Sequence, residues 1–347
     1  MRPANGFATH RTVEIANGIT PRLQWMYNYG YCGETSLISA GLFYGQYLSQ
    51  YDARHLAHPN IPQSQDASQL LLTLNAARVA RRMHLQTVEW NSGDRSSRDF
   101  LAWVKQNVAR GYPVAIGVYT NESYFYGRSG VNDGDPTYDH IVPVVAVESH
   151  HPRNDPRYYG DDTIVFSDNG LNAPDVGEIG PHPGHWRPLY KYLYRYSFAS
   201  FVRTRSQANA RQSPPYSLAL AGARPLPTDY GIAVSGVIDP KHETLPVRIA
   251  TDKYYEWPPI LKYQKVRPKP EPLRLTATVS ELVPGVAYTL YRYDAFASVP
   301  DADFNARAKQ ASQQWSIRIR SGSSFTLIQN ITSNQTVIYR AVKAASP

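Results

Sequence analysis

Cysteine is almost absent, because Cys32 is the only one in 347 residues. That excludes an internal disulfide and any cysteine-rich zinc site, so neither a disulfide scaffold nor a zinc finger is available to the chain. Long apolar runs are missing too. Nothing approaches the roughly 20 residues that cross a bilayer, which predicts no membrane-spanning segment. The N-terminal stretch MRPANGFATHRTVEIANG lacks the continuous apolar core of a secretory signal. Localisation stays open, since a secreted chain with its signal removed has the same kind of start. Sequons stand at Asn121, Asn330 and Asn334, no more than a chain rich in Asn, Ser and Thr carries by chance.

Charge is sparse, at 18% of residues against 42% hydrophobic, which is the balance of a globular chain. It is also uneven. Residues 1 to 205 hold 19 Lys and Arg against 18 Asp and Glu, and residues 206 to 347 hold 17 against 10, so the C-terminal part carries +7 of the net +8. Such a bias suits an anionic partner or surface. It contains no dense Lys/Arg block, so there is no specific nucleic-acid signal.

The length predicts two domains. Helical spacing is clearest before residue 112. From Cys32, the positions Leu37, Ala40, Gly41, Tyr44 and Leu48 share one face; Ser68 to Met83 carries Leu70, Leu71, Leu74, Ala77 and Ala80; and SSRDFLAWVKQNVARG predicts a helix capped at Ser97 and stopped at Gly111. The period then shortens. PVAIGVYT, HIVPVVAVES and DTIVFSD are β-branched runs between Gly, Asp and Pro loops, the pattern of strands. Helices followed by strands predict an α+β domain over residues 1–208. A Pro-rich linker is expected over 209–228, where RQSPPYSLALAGARPLPT loses periodicity. Seven short strand patterns, from YGIAVSGVI to QTVIYRAVK, predict a small all-β sandwich over 229–347.

A lone cysteine is most often a small packing residue. Cys32 differs in that the loop NYGY passes into a helix there, and a helix N-terminus beside an imidazolium favours a thiolate nucleophile. The backbone N–H of Cys32 would supply half of an oxyanion hole. Of ten histidines, His140 is the best placed base, because it opens the most hydrophobic strand directly after the turn-rich GVNDGDPTYD. His150 and His151 lie at the far end of that strand, roughly 30 Å away. A third group must orient the ring, and IVFSDNG offers Asp168 first and Asn169 second, although the same residues also make an ordinary turn.

In this order, Cys on a helix, His on a strand and Asp or Asn after the next strand, the first 205 residues resemble the papain-like cysteine peptidases, in particular their C39-like branch. GYCGETS is similar to the nucleophile helix, GYPVAIGVY to the strand after the helical half, and DHIVPVVAV to the histidine strand. The resemblance implies a papain-like fold and a peptidase or amidase working on a peptide or protein substrate through a Cys32 acyl-enzyme, with Gln24 donating its amide to the oxyanion. The chain departs from the family pattern in two places. Seven residues separate Gln24 from Cys32 where the family has five, which brings Asn28 in as an alternative donor, and SDNG stands where papain has an NSWG-type motif. The same residues also serve acyl transfer to an amine, and an inactive site of this shape leaves a binding protein.

No cofactor and no metal are expected. The loop with Asn132, Asp133, Asp135 and Asp139 lacks the EF-hand spacing and its closing Glu, and His182 and His185 have no carboxylate or thiol nearby in sequence. Aromatic residues crowd the stretches before both Cys32 and His140, where they fit either a cleft lining or ordinary Tyr packing.

Overall fold

The computed structural model describes residues 13–25, 28, 30–91, 93, 95–119, 140–167, 169, 193–203, 219–220, 229–253 and 269–345. In chain order the first half runs β1 (Val13–Ala16), α1 (Cys32–Phe43), β2 (Gln46–Tyr47), α2 (Gln50–Ala57), α3 (Ala76–Arg82), β3 (Leu85–Glu89), α4 (Ser97–Ala109), β4 (Val114–Tyr119), β5 (His140–Ser149), β6 (Thr163–Ser167), β7 (Leu193–Ser197) and α5 (Phe198–Arg203). The second half is β8 (Ala219–Leu220), β9 (Gly231–Val237), β10 (Thr244–Leu245), β11 (Val247–Thr251), β12 (Pro272–Val279), β13 (Tyr288–Tyr293), β14 (Gln313–Ile317), β15 (Phe325–Thr332) and β16 (Val337–Lys343). The protein is a sheet-rich α+β molecule, as the sequence predicts at that level.

The main sheet has the order β3-β9-β4-β5-β6-β7, with β1 added to β5 and β8 to β4. Its two faces bury different helices. Ala115, Ile141, Ile232 and Val234 pack with α1 and α3, whereas Val114, Ile116, Val142, Val144 and Ala233 pack with α4 and α5. The alternation along β4, β5 and β9 thus serves two cores, which is why these strands read as continuous apolar runs.

The third predicted helix forms, but its cap is Ser96, one residue before the expected Ser97, in a full capping box: Ser96 Oγ accepts from Asp99 N, and the Asp99 carboxylate accepts from Ser96 N. Its stripe Phe100, Leu101, Val104 and Val108 is completely buried. The second is much shorter than its spacing predicts, because only 76–82 are helical and Thr73 is left-handed at φ 63°. Asn75 accounts for this. Its Oδ1 accepts from Leu71 N and its Nδ2 donates to the Gln69 carbonyl, which satisfies backbone groups that a helix would use and leaves Leu74 exposed. The first helix stops at Phe43, since Gly45 turns the chain at φ 73° into β2, and Leu48 therefore lies beyond it.

The C-terminal strands form two facing layers, β10-β16-β13-β14 and β11-β12-β15, with a shared core. Two connections differ from the expected division at residue 229. YGIAVSGVI becomes β9 and pairs with β3 and β4 of the main sheet, while β2 leaves the N-terminal part to pair with β16. Helix α1 is buried along nearly its whole length between the main sheet and this second layer.

Candidate active site

Cys32 is the first residue of α1, and its N-cap Tyr31 makes no side-chain cap, so the first-turn N–H groups keep no side-chain acceptor there. The helix start seats tightly. Gly33 faces the Leu70 carbonyl and Ile141, with no room for a β-carbon. The Cys32 sulfur in turn meets the backbone N–H of Ile141, the residue after His140. On this edge β5 has not yet begun to pair with β6, whose partners start at Val144. Cys32 and Asn169 occupy the gap.

Asn169 joins the parts. It is fully buried and left-handed at φ 54°, and its Nδ2 donates to the carbonyl of Ile141 at 3.0 Å, to that of Cys32 at 3.3 Å and to Ser36 Oγ at 3.2 Å. Three acceptors around one amide fix its orientation. Its Oδ1 is buried and has no partner among the described residues. The Asn169 carbonyl accepts from Gln24 N at 2.8 Å, and Gln24 Nε2 lies 3.8 Å from where a β-carbon on Gly30 would stand. Cys32, Gln24, Asn169 and the start of the His140 strand are therefore neighbours. His140 itself is 1% exposed. Asp168 lies outside the described residues, as do the Asn132 to Asp139 loop and His182 and His185. Asn28 directs its amide to the Tyr31 hydroxyl at 3.1 Å. At the far end of β5, His151 pairs with Asp161 at 3.0 Å and stacks on Tyr159. No group of three metal-ligating side chains occurs among the described residues.

A buried ion pair that the sequence reading did not single out completes the surroundings. Glu34 Oε1, two residues past Cys32, accepts from Arg54 Nε at 2.6 Å and from Leu70 N at 3.1 Å, and both side chains are 1% exposed. Glu34 was the available signal: an acid in the first turn of an otherwise apolar helix needs a partner once buried.

The electrostatics differ from those of a preformed thiolate. Burial pushes the Cys32 thiol up to about 12 and the Glu34 charge adds to the rise, while the Ile141 N–H, Arg54 and the Gly33 N–H pull less strongly the other way. At neutral pH the sulfur is a thiol. The helix start is present as the sequence predicts, but desolvation outweighs it and the N–H groups of Ile141 and Gly33.

Fold and site together define a sheet-rich α+β protein with one thiol at the start of a central helix, bordered by a histidine strand and a buried asparagine. No protein-family model, curated protein or solved structure matches the chain.

Proposed function

We propose that the protein is a papain-like cysteine hydrolase that cleaves a peptide or amide bond through an acyl-enzyme on Cys32. One observation carries the reading. The Asn169 amide donates at once to the Cys32 and Ile141 carbonyls and to Ser36, so stretches far apart in sequence meet around the sole thiol in the chain order cysteine, histidine, asparagine. The start of α1 adds support, because Tyr31 places no side-chain cap there and the Cys32 N–H would face a developing oxyanion.

With a neutral thiol at rest, proton transfer and attack belong to one step. His140 takes the Cys32 proton as the sulfur adds to the carbonyl carbon, and the oxyanion is held by Cys32 N–H and the Gln24 amide. The imidazolium then protonates the leaving amine, the C–N bond breaks and a thioester remains. Water deprotonated by His140 hydrolyses the thioester and restores the thiol. The third member that orients the ring is Asp168 or, as the alternative, Asn169, whose buried Oδ1 has no partner among the described residues and would have to turn towards the His140 ring in the reacting complex. An amine in place of water turns the same residues to acyl transfer. An inactive relative would instead bind a partner through the basic C-terminal part.

The test is intact-mass analysis after exposure to an activated acyl ester of a short peptide. One acyl group on Cys32 is expected, absent from Cys32→Ala and formed far more slowly by His140→Ala. Added amine separates transfer, which yields the amide, from hydrolysis, which yields the acid. A protein that forms no Cys32 adduct under any of these conditions is not this enzyme.

A further inference from the structure

The Glu34–Arg54 pair does more geometrically than neutralise itself. Arg54, on α2, has three arms with separate destinations: Nε to the Glu34 carboxylate, Nη1 to the Asn28 carbonyl at 2.5 Å, and Nη2 to the Gly30 carbonyl. Its guanidinium also lies 3.8 Å from the centre of the Tyr31 ring. Asn28 and Gly30 are both left-handed, at φ 52° and 82°. That shape lets two carbonyls of one short loop converge on a single cation. Because a peptide unit is planar, fixing the Gly30 carbonyl also fixes the direction of the Tyr31 N–H, immediately before the nucleophile. Tyr31 is held further by Asn28 and by Gln63 at 2.8 Å, and it stacks on Trp25.

Glu34 ties the same cation to the first turn of α1 and, through Leu70 N, to the segment against which Gly33 packs. Burial works against the Arg54 charge, and Glu34 beside it more than compensates, so the arginine stays ionised. A lone carboxylate at this depth would oppose negative charge on the sulfur.

We propose that Arg54 is a positioning residue for Cys32, holding Asn28, Gly30, Tyr31 and the first turn of α1 together and masking the Glu34 carboxylate so that the sulfur can carry negative charge when it attacks. The proposal rests on the nucleophile reading of Cys32, deepens it, and is separable from it by experiment. A purely structural pair would respond alike to loss of either member. An electrostatic one responds in opposite directions.

The test is the pH dependence of Cys32 alkylation by iodoacetamide in the full-length protein, which needs a thiol and no substrate. Glu34→Gln, nearly isosteric and still able to accept from Arg54 and Leu70, is expected to lower the midpoint by about one unit, a rise of about tenfold in rate at a fixed pH below it. Arg54→Met is expected to raise the midpoint and slow alkylation by a similar factor, and the double variant to fall between the two. If Arg54→Met does not fold, Glu34→Gln alone decides: an unchanged or raised midpoint overturns the proposal, as do single variants that shift the same way. Adduct formation from the acyl ester with an unchanged Glu34→Gln profile keeps the hydrolase and removes this role for Arg54. Opposite shifts without any acyl adduct do the reverse.

Discussion

Replacing Gly33 by Ala isolates the contact that seats the helix carrying Cys32. Alanine in a helix interior is better than glycine by about 1 kcal/mol, so propensity alone predicts a gain. The site opposes it. A β-carbon here would overlap the Leu70 carbonyl oxygen, with Ile141 Cδ1 at 3.0 Å and Leu70 Cδ2 at 3.1 Å on its other sides. The oxygen cannot retreat cheaply, because Leu70 N is bonded to Glu34 and Leu71 N to Asn75. Overpacking costs about 1–3 kcal/mol, and a pinned backbone atom belongs at the upper end, so the net loss is about 2 kcal/mol. Gly41→Ala in the same helix has the same propensity gain but meets Gln46 and Met83 Cε at 3.3 Å, contacts that shifts of a few tenths of an ångström relieve. Its net effect is within about 1 kcal/mol of zero. Urea unfolding of the two variants side by side is the assay. Gly33→Ala at or above the native midpoint, or below it by no more than Gly41→Ala, would refute the seating of α1 against Leu70.

Three further outcomes follow from the same geometry. In the native protein, alkylation of Cys32 should be slow at neutral pH and accelerate only in strongly alkaline solution; because the folded thiol titrates above the roughly 8.5 of an unfolded cysteine, its protonated form favours folding below that value and the benefit is lost as pH climbs towards about 12. Fast alkylation below pH 7 would contradict a neutral, partly buried thiol. Asn169→Asp should destabilise the fold by about 2–4 kcal/mol, because a carboxylate would face three acceptors now served by an amide; a urea midpoint within error of native would remove Asn169 from its bridging role. Residues 1–228 expressed alone should not fold, since they lack β9 from the middle of the main sheet and β16 beside β2. A cooperative thermal transition from that fragment would sink the prediction.

What the sequence could disclose depended on whether each signal was local. The α4 stripe and its capping serine lie within 13 residues, and β5 is a continuous apolar run; both elements emerge as predicted, with the cap one residue earlier, at Ser96. The leucine spacing from 68 to 83 misled because Asn75 captures the backbone of its own segment, a competition that periodicity does not register. YGIAVSGVI was legible as a strand but not as a member of the main sheet, because a strand buried on both faces carries no mark of which neighbours it has. Cys32 and the His140 strand could be singled out as candidates from the sequence, whereas the Arg54 contacts could not, since its partners at 28, 30 and 34 are joined to it only by the fold.

The same long-range logic explains why the C-terminal layers matter to the site. Arg340, on β16, is buried and donates to the carbonyl of Tyr44, the C-cap of α1, while Tyr339 N bonds the Gly45 carbonyl. Burial pulls the Arg340 guanidinium down to about 10, still charged at neutral pH, where it opposes the negative end of the helix dipole. The helix that carries Cys32 is thus held at its start by Asn169 and the Leu70 segment and at its end by the last strand of the chain. The sequence divides near residue 229, but the physical unit that orients the thiol spans both parts. The C-terminal layers belong to the support of the helix that carries Cys32 as much as to any basic surface they present.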